Sequence, residues 1–113
     1  MEQKENKIEE KENKTEEKEK LILPTGRNVL GICIEKVGGS RMRVKCSDGK
    51  TRLCRIPGRL KRKLWVREGD ILIVEPWELG GETKGDIIFK YNHLEVEALR
   101  AKGYLEFIEK EFF

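Results

Sequence analysis

The sequence predicts a mainly β domain: five short strands closing into a Greek-key barrel, a short helical connector between strands three and four, and a C-terminal helix. Three observations carry this expectation. Strand-like runs recur at short intervals between clusters of Gly, Pro, Asp and Ser. One of them, Arg41–Ser47, alternates strictly between basic and apolar residues. The strand pattern breaks once, at Arg59–Val66, where Leu60 and Leu64 stand four apart as on one turn of helix.

The elements follow in order. Val29–Val37 is apolar on both faces and holds Gly31, which predicts a long, bent first strand. Gly38-Gly39-Ser40 turns the chain into Arg41–Ser47, with Met42, Val44 and Cys46 on one face and Arg41, Arg43 and Lys45 on the other. Asp48-Gly49 is a hairpin signal. Thr51–Ile56 is the third strand, with Cys54 and Ile56 inward and Arg55 outward, and Pro57-Gly58 ends it. The connector, anchored by Leu60 and Leu64, is expected to plug the fold, with Trp65 packed beside Leu64. Ile71–Trp77 and Ile87–Tyr91 are the fourth and fifth strands, separated by a turn through Gly80–Asp86. Asn92 with Glu95 makes a capping box for a helix that Gly103 ends, and Glu97 can pair with Arg100. All strands are read as antiparallel. This order matches the oligonucleotide-binding barrel. A Sm-like or SH3-like barrel competes, but the basic insertion and the long first strand favour the former.

Charge is segregated. Residues 1–20 carry −2, residues 21–93 carry +7 and residues 94–113 carry −2, so the whole-chain +3 hides a basic middle. Arg41–Arg67 alone holds eleven Lys or Arg against one acid, Asp48. An ordinary solvated surface mixes signs; a single-sign field this dense points to a phosphate backbone as partner. Arg41, Arg43 and Lys45 share one strand face, Arg55 joins them from the neighbouring strand, and Lys61, Arg62 and Lys63 project from the connector. No aromatic ladder runs through this stretch, so phosphate contact and shape should dominate, which suits structured RNA.

Other functions are disfavoured. Cys33, Cys46 and Cys54 have no C-x-x-C spacing and His93 is the single histidine, so neither a metal nor a cofactor is expected. The cysteines are expected to be buried and reduced in a cytoplasmic protein. His93 has no neighbouring nucleophile and fits a helix's first turn; Asp48, Asp70 and Asp86 adjoin glycines and fit turns. No phosphate-cradling glycine motif occurs, and no catalytic constellation. No apolar run reaches membrane-spanning length.

Two blocks carry a family resemblance: Cys54–Val66 (CRIPGRLKRKLWV) and Asp86–Asn92 (DIIFKYN). With the sequence around them, residues 21–103 resemble the translation initiation factor 1A family of archaea and eukaryotes. The resemblance implies an S1-like barrel with a C-terminal helix and no enzymatic activity. It further implies binding to the small ribosomal subunit at the decoding A site through ribosomal RNA, support of initiator tRNA binding and subunit dissociation, and cooperation with other initiation factors, by a monomer without membrane contact. Carried onto this chain, the RNA-binding set is Arg41, Arg43, Lys45, Arg55, Arg59, Lys61, Arg62, Lys63 and Arg67, with Lys84 and Lys90 as isolated additions. Eukaryotic members have a long acidic C-terminal extension and a basic, glycine-rich N-terminal tail. Neither matches here, so tail functions are not carried over. A general RNA-binding or RNA-chaperone module of the S1 or cold-shock type is the alternative; a structural ribosomal protein is a third, more distant one.

The expected organisation is a disordered charged tail (1–20), the RNA-binding barrel (21–93) and a C-terminal helix with an apolar end (94–113), whose Leu105, Ile108 and Phe112 form a stripe for docking on the barrel or the preceding helix, with a partner-binding tail as the alternative. The tail's single apolar residue, Ile8, cannot repay ordering. Removing residues 1–20 should therefore shift stability by no more than about 0.5 kcal/mol, as for surface changes away from packed features. Thermal melts of the full-length and truncated proteins check this; a clearly larger loss means the tail is docked.

Overall fold

A computed structural model describes residues 21–112, with side chains through residue 109, so the tail expectation for residues 1–20 lies outside the described residues. Strands β1 (Val29–Gly38), β2 (Arg41–Cys46), β3 (Thr51–Arg55), β4 (Ile71–Pro76) and β5 (Lys84–Lys90) close into a barrel in the order β1-β2-β3-β5-β4. A 3-10 turn, Gly58–Leu60, sits between β3 and β4, and helices α1 (His93–Ala101) and α2 (Glu106–Phe112) follow. This is the five-stranded Greek-key oligonucleotide-binding barrel that the element order predicts.

The long first strand serves two neighbours. Val29–Ile32 pairs with β4 and Gly31–Gly38 with β2. Gly31 lies where these pairings overlap, and a Cβ there would stand 2.5 Å from Val44 Cγ1. Only glycine lets β1 bend this closely over the interior.

One seam departs from expectation. β3 and β5 run parallel, pairing Leu53 with Lys84, Cys54 with Gly85 and Arg55 with Asp86. The fifth strand accordingly starts at Lys84, within the segment read as a turn. Lys84-Gly85-Asp86 has weak intrinsic strand preference. It becomes strand because it satisfies the open backbone edge of β3.

Two apolar clusters follow from the pleat. Inside the barrel are Cys33, Met42, Val44, Cys46, Cys54, Leu72, Val74 and Ile87, closed at one end by Val66 with Leu60 and Leu64 packed against it. The connector is thus a plug, as its leucine spacing predicts, although Val66 is its most buried residue. Outside, the opposite faces of β1 and β4 present Leu30, Ile32, Ile71 and Ile73 to Tyr91, Leu99, Leu105 and Ile108. Each such side chain contributes about 1.5–3 kcal/mol on burial, which explains a first strand that is apolar on both faces. Leu105 and Ile108 therefore dock on the protein itself; the Phe112 side chain lies outside the described residues. The Tyr91 hydroxyl donates to the Ile22 carbonyl and ties the incoming chain to this cluster.

The helix signals act locally. Asn92 and Glu95 form the capping box, each accepting the other's backbone N–H at 2.8 Å. Gly103 at φ 85° ends α1 with Tyr104 N–H donating to Leu99 O and Gly103 N–H to Arg100 O, a Schellman motif. Arg100 lies 3.6 Å from Glu97 and 3.8 Å from Glu109, linking the two helices.

All three cysteines are buried. Burial pushes the Cys54 thiol up to about 12 and the Cys33 thiol to about 11, against an ordinary 9.0, and it also raises Cys46. A raised thiol pKa stabilises the fold below pH 9 and is lost as pH climbs toward the folded values. Urea midpoints should therefore fall between pH 8.5 and about 11, with a shallower fall in Cys54→Ala.

Among the described residues Arg52 is the buried base, 3 % exposed. Its guanidinium grips Asp48 through two nitrogens, at 3.1 and 2.8 Å, and its Nε donates to the Gly81 carbonyl. The hydrogen bond to Arg52 holds the Asp48 carboxyl below its ordinary range. Truncating Asp48 leaves that guanidinium buried without its partner. Asp48→Ala should cost about 2–3 kcal/mol in urea unfolding, the scale of hydrogen bonds to charged groups, despite lying in a hairpin turn.

Candidate nucleic-acid interface

The strict alternation of β2 turns Met42, Val44 and Cys46 inward and leaves Arg41 and Arg43 exposed, with Lys45 half-buried. Across the β2–β3 pairing Arg41 stands opposite Arg55 and Arg43 opposite Leu53. Like charges directly opposed on one sheet face are destabilising. The parallel seam carries this surface onward, placing Asp86 beside Arg55 and Lys84 beside Leu53, and β4 adds Glu75 beside Asp86. One row of residues thus crosses four strands: Arg41, Arg55, Asp86, Glu75.

Nine of the eleven predicted cations fall into two groups. Arg43 Nε is 3.0 Å from Glu35 Oε2 on β1, and Arg55 Nε is 3.0 Å from Asp86 Oδ1. Lys90, half-buried, donates Nζ to the Trp65 carbonyl at 2.6 Å and lies 3.6 Å from Asp70, so it holds the end of the connector against the barrel. By contrast, Arg41, Arg59, Lys61, Arg62, Lys63 and Arg67 are exposed, and none forms a side-chain ion pair with a described residue. These are the charges with most to gain from an anionic partner.

A concavity joins the two sources of charge. It is lined by Gly39, Ser40, Arg41, Arg55, Ile56, Pro57, Gly58 and Lys61, so the strand cations and the connector meet there. Ser40 lies in the left-handed region at φ 60°, with its carbonyl accepting from Ile56 N–H at 3.3 Å. That hydrogen bond ties the β1–β2 turn to the start of the connector and helps hold Ser40 in its costly backbone conformation.

Sequence reasoning missed two residues here and misplaced a third. Arg52 belongs to the basic stretch yet points inward; the parity of Thr51–Ile56, which puts Arg52 with Cys54 and Ile56, is the signal that finds it. Trp77 lies outside the basic stretch, but the Arg55 guanidinium lies 5.0 Å and Lys84 Nζ 5.6 Å from its ring centroid. No local pattern could reveal that meeting. Trp65 does not pack with Leu64: it is 76 % exposed, because the connector turns Leu64 and Val66 toward the plug.

Chemically the face can hold an extended polyanion. Among the described residues no group of three His, Cys, Asp or Glu side chains is placed to hold a metal ion.

Comparison with known proteins decides the family. The family model described as Translation initiation factor 1A / IF-1 matches residues 18–112. Translation initiation factor 1A of Methanococcus maripaludis strain C5 is 54 % identical over 80 residues, which is 71 % of this chain and 78 % of that one. The chain belongs to the translation initiation factor 1A family. The factor 1A of Pyrococcus abyssi is 40 % identical over 103 residues, 91 % of this chain and 87 % of that one. The solution structure of translation initiation factor 1 from the Wolbachia endosymbiont strain TRS of Brugia malayi is similar at 25 % identity and TM-score 0.47, covering 58 % of this chain and 78 % of that one. Translation initiation factor 1A proteins are non-catalytic factors, and the match to their model takes in the basic connector together with α1 and α2.

Proposed function

We propose that this initiation factor binds the small ribosomal subunit at the decoding A site, through phosphate contacts of its basic face with ribosomal RNA. In that position it supports initiator tRNA binding and subunit dissociation and works beside other initiation factors, as a cytoplasmic monomer. The observation that carries this reading is the convergence of Arg41 and Lys61 on one concavity; with Arg59, Arg62, Lys63 and Arg67 from the connector and its end, they are exposed and lack an ion pair among the described residues. Cations held this way lose little by exchanging solvent counterions for phosphates and gain the entropy of counterion release. The barrel of residues 21–93 is the RNA-binding unit in this reading, residues 94–113 are its C-terminal helix and apolar end, and residues 1–20 are a charged tail.

A general RNA-binding module would use the same charges. Saturable one-to-one binding to isolated small subunits, lost on joining of the large subunit, separates the initiation factor from such a module.

Replacing Lys61, Arg62 and Lys63 together by alanine should weaken small-subunit binding without unfolding the barrel, since the anchors Leu60, Leu64 and Val66 remain. If each base neutralises one phosphate, the slope of log affinity against log salt should fall by about 2, at roughly 0.7 per contact with unpaired RNA. The loss should be similar across RNA sequences, because phosphate contacts position a protein without reading bases. An unchanged slope in a folded mutant places the binding face elsewhere on the barrel.

A further inference from the structure

Arg55 differs from the other cations of this face in how it is held. Its Nε donates to Asp86 Oδ1 at 3.0 Å, and its Cζ lies over the Trp77 ring, 5.0 Å from the centroid. The same Asp86 oxygen accepts from Trp77 Nε1 at 2.9 Å, so one carboxylate oxygen fixes both indole and guanidinium. Trp77 is also fixed through its backbone. Its N–H donates to Lys84 O at 3.2 Å, and Arg27 Nη2 donates to the Pro76 and Trp77 carbonyls at 3.3 and 3.1 Å. Gly81 packs so closely on the Trp77 carbonyl that a Cβ would collide. The Arg55 side chain is nonetheless 55 % exposed, and with Trp77 it borders an open concavity.

This is a poor arrangement for a phosphate clamp. Asp86 offsets the positive charge and occupies one of the donors that would face phosphate. It suits a different task. A guanidinium held over an aromatic ring, with more than half of its side chain open, can offer its planar face to an unpaired base, as Arg planes and aromatic rings do in RNA recognition. The placement fits too, because oligonucleotide-binding barrels take their ligands on the strand 2–3 face beside the β1–β2 and β4–β5 loops. Arg55 lies on that face and Trp77 opens the β4–β5 loop. Arg41 stands directly across from Arg55, within reach of the backbone of a nucleotide seated there.

We propose that Arg55, laid on Trp77 and locked by Asp86, is a stacking platform for an unpaired RNA base, with Arg41 on the adjoining phosphate. This rests on the small-subunit reading for the source of the RNA, and it gives Arg55 a role other than phosphate contact. The probes are two labelled oligomers, a single-stranded hexa-adenylate and an abasic ribose-phosphate hexamer, with affinities read by fluorescence anisotropy. The wild-type protein should prefer the base-bearing chain by at least about fivefold, the lower end of stacking one base. Trp77→Leu and Asp86→Ala should lose that preference, the latter despite the removal of an acid, which by charge alone tightens RNA binding. Arg55→Lys keeps the charge and loses the plane; it should bind the abasic chain as the wild type does and no longer distinguish the two. Circular dichroism confirms folding, and Arg55→Lys carries the test where Asp86→Ala does not fold. Equal binding or no binding of the two oligomers by the wild type overturns the platform, as does an Arg55→Lys protein that keeps the preference. Small-subunit binding measured in parallel keeps the two readings apart. Subunit binding without base preference overturns the platform alone, and base preference without subunit binding overturns the small-subunit reading alone.

Discussion

The β3–β5 seam is held by three parallel residue pairs, Leu53 with Lys84, Cys54 with Gly85 and Arg55 with Asp86. Parallel pairing is slightly weaker per residue than antiparallel pairing, and this seam is the shortest in the barrel. Its neighbourhood compensates. Leu53 N–H reaches back to Thr83 O at 2.8 Å, and the buried Arg52 ties the β2–β3 turn at Asp48 to the β4–β5 loop at Gly81. Gly85 makes the close approach possible: a Cβ there would stand 2.7 Å from Val74 Cγ1 and 3.5 Å from Arg52 Cδ. Without the seam the barrel would be an open sheet with two exposed edges.

The candidate surface depends on the same closure. Arg55 and Asp86 meet only because β5 turns parallel to β3, and Trp77 joins them because β4 pairs β5 on the far side. The connector then crosses the barrel end and brings Lys61 to the concavity that Arg41 and Arg55 line. Each of these cations comes from a different element. Their mutual repulsion is tolerated because the barrel's packing, not the face itself, supplies stability.

The outside of the barrel is divided in two. The β1–β4 side is covered by α1, α2 and the chain around Leu21 and Leu23, which bury a second apolar cluster. The β2–β3 side carries no such cover among the described residues and displays its cations. The helices therefore do more than end the chain: they satisfy the apolar outer face of the barrel and leave the basic face as its open surface.

Much of this was legible in the sequence because the relevant signals are local. The alternation of Arg41–Ser47, the Asn92–Glu95 box, the Leu60–Leu64 plug and the two-faced apolar first strand each reflect backbone geometry acting over a few residues. The inward turn of Arg52 was legible too, by parity, but its charge argues against burial until Asp48 and the Gly81 carbonyl are seen around it. Only the tertiary structure decided the parallel seam, the strand formed by Lys84-Gly85-Asp86, the exposure of Trp65 and the meeting of Arg55 with Asp86, 31 residues apart. The sequence by itself determined the alternation along the strands, most of the turns and which stretch is basic, since periodicity and turn chemistry act on neighbours. Which strands become neighbours, and so which side chains share a site, depends on closing the barrel, and that is settled by pairing and packing between segments far apart in the chain.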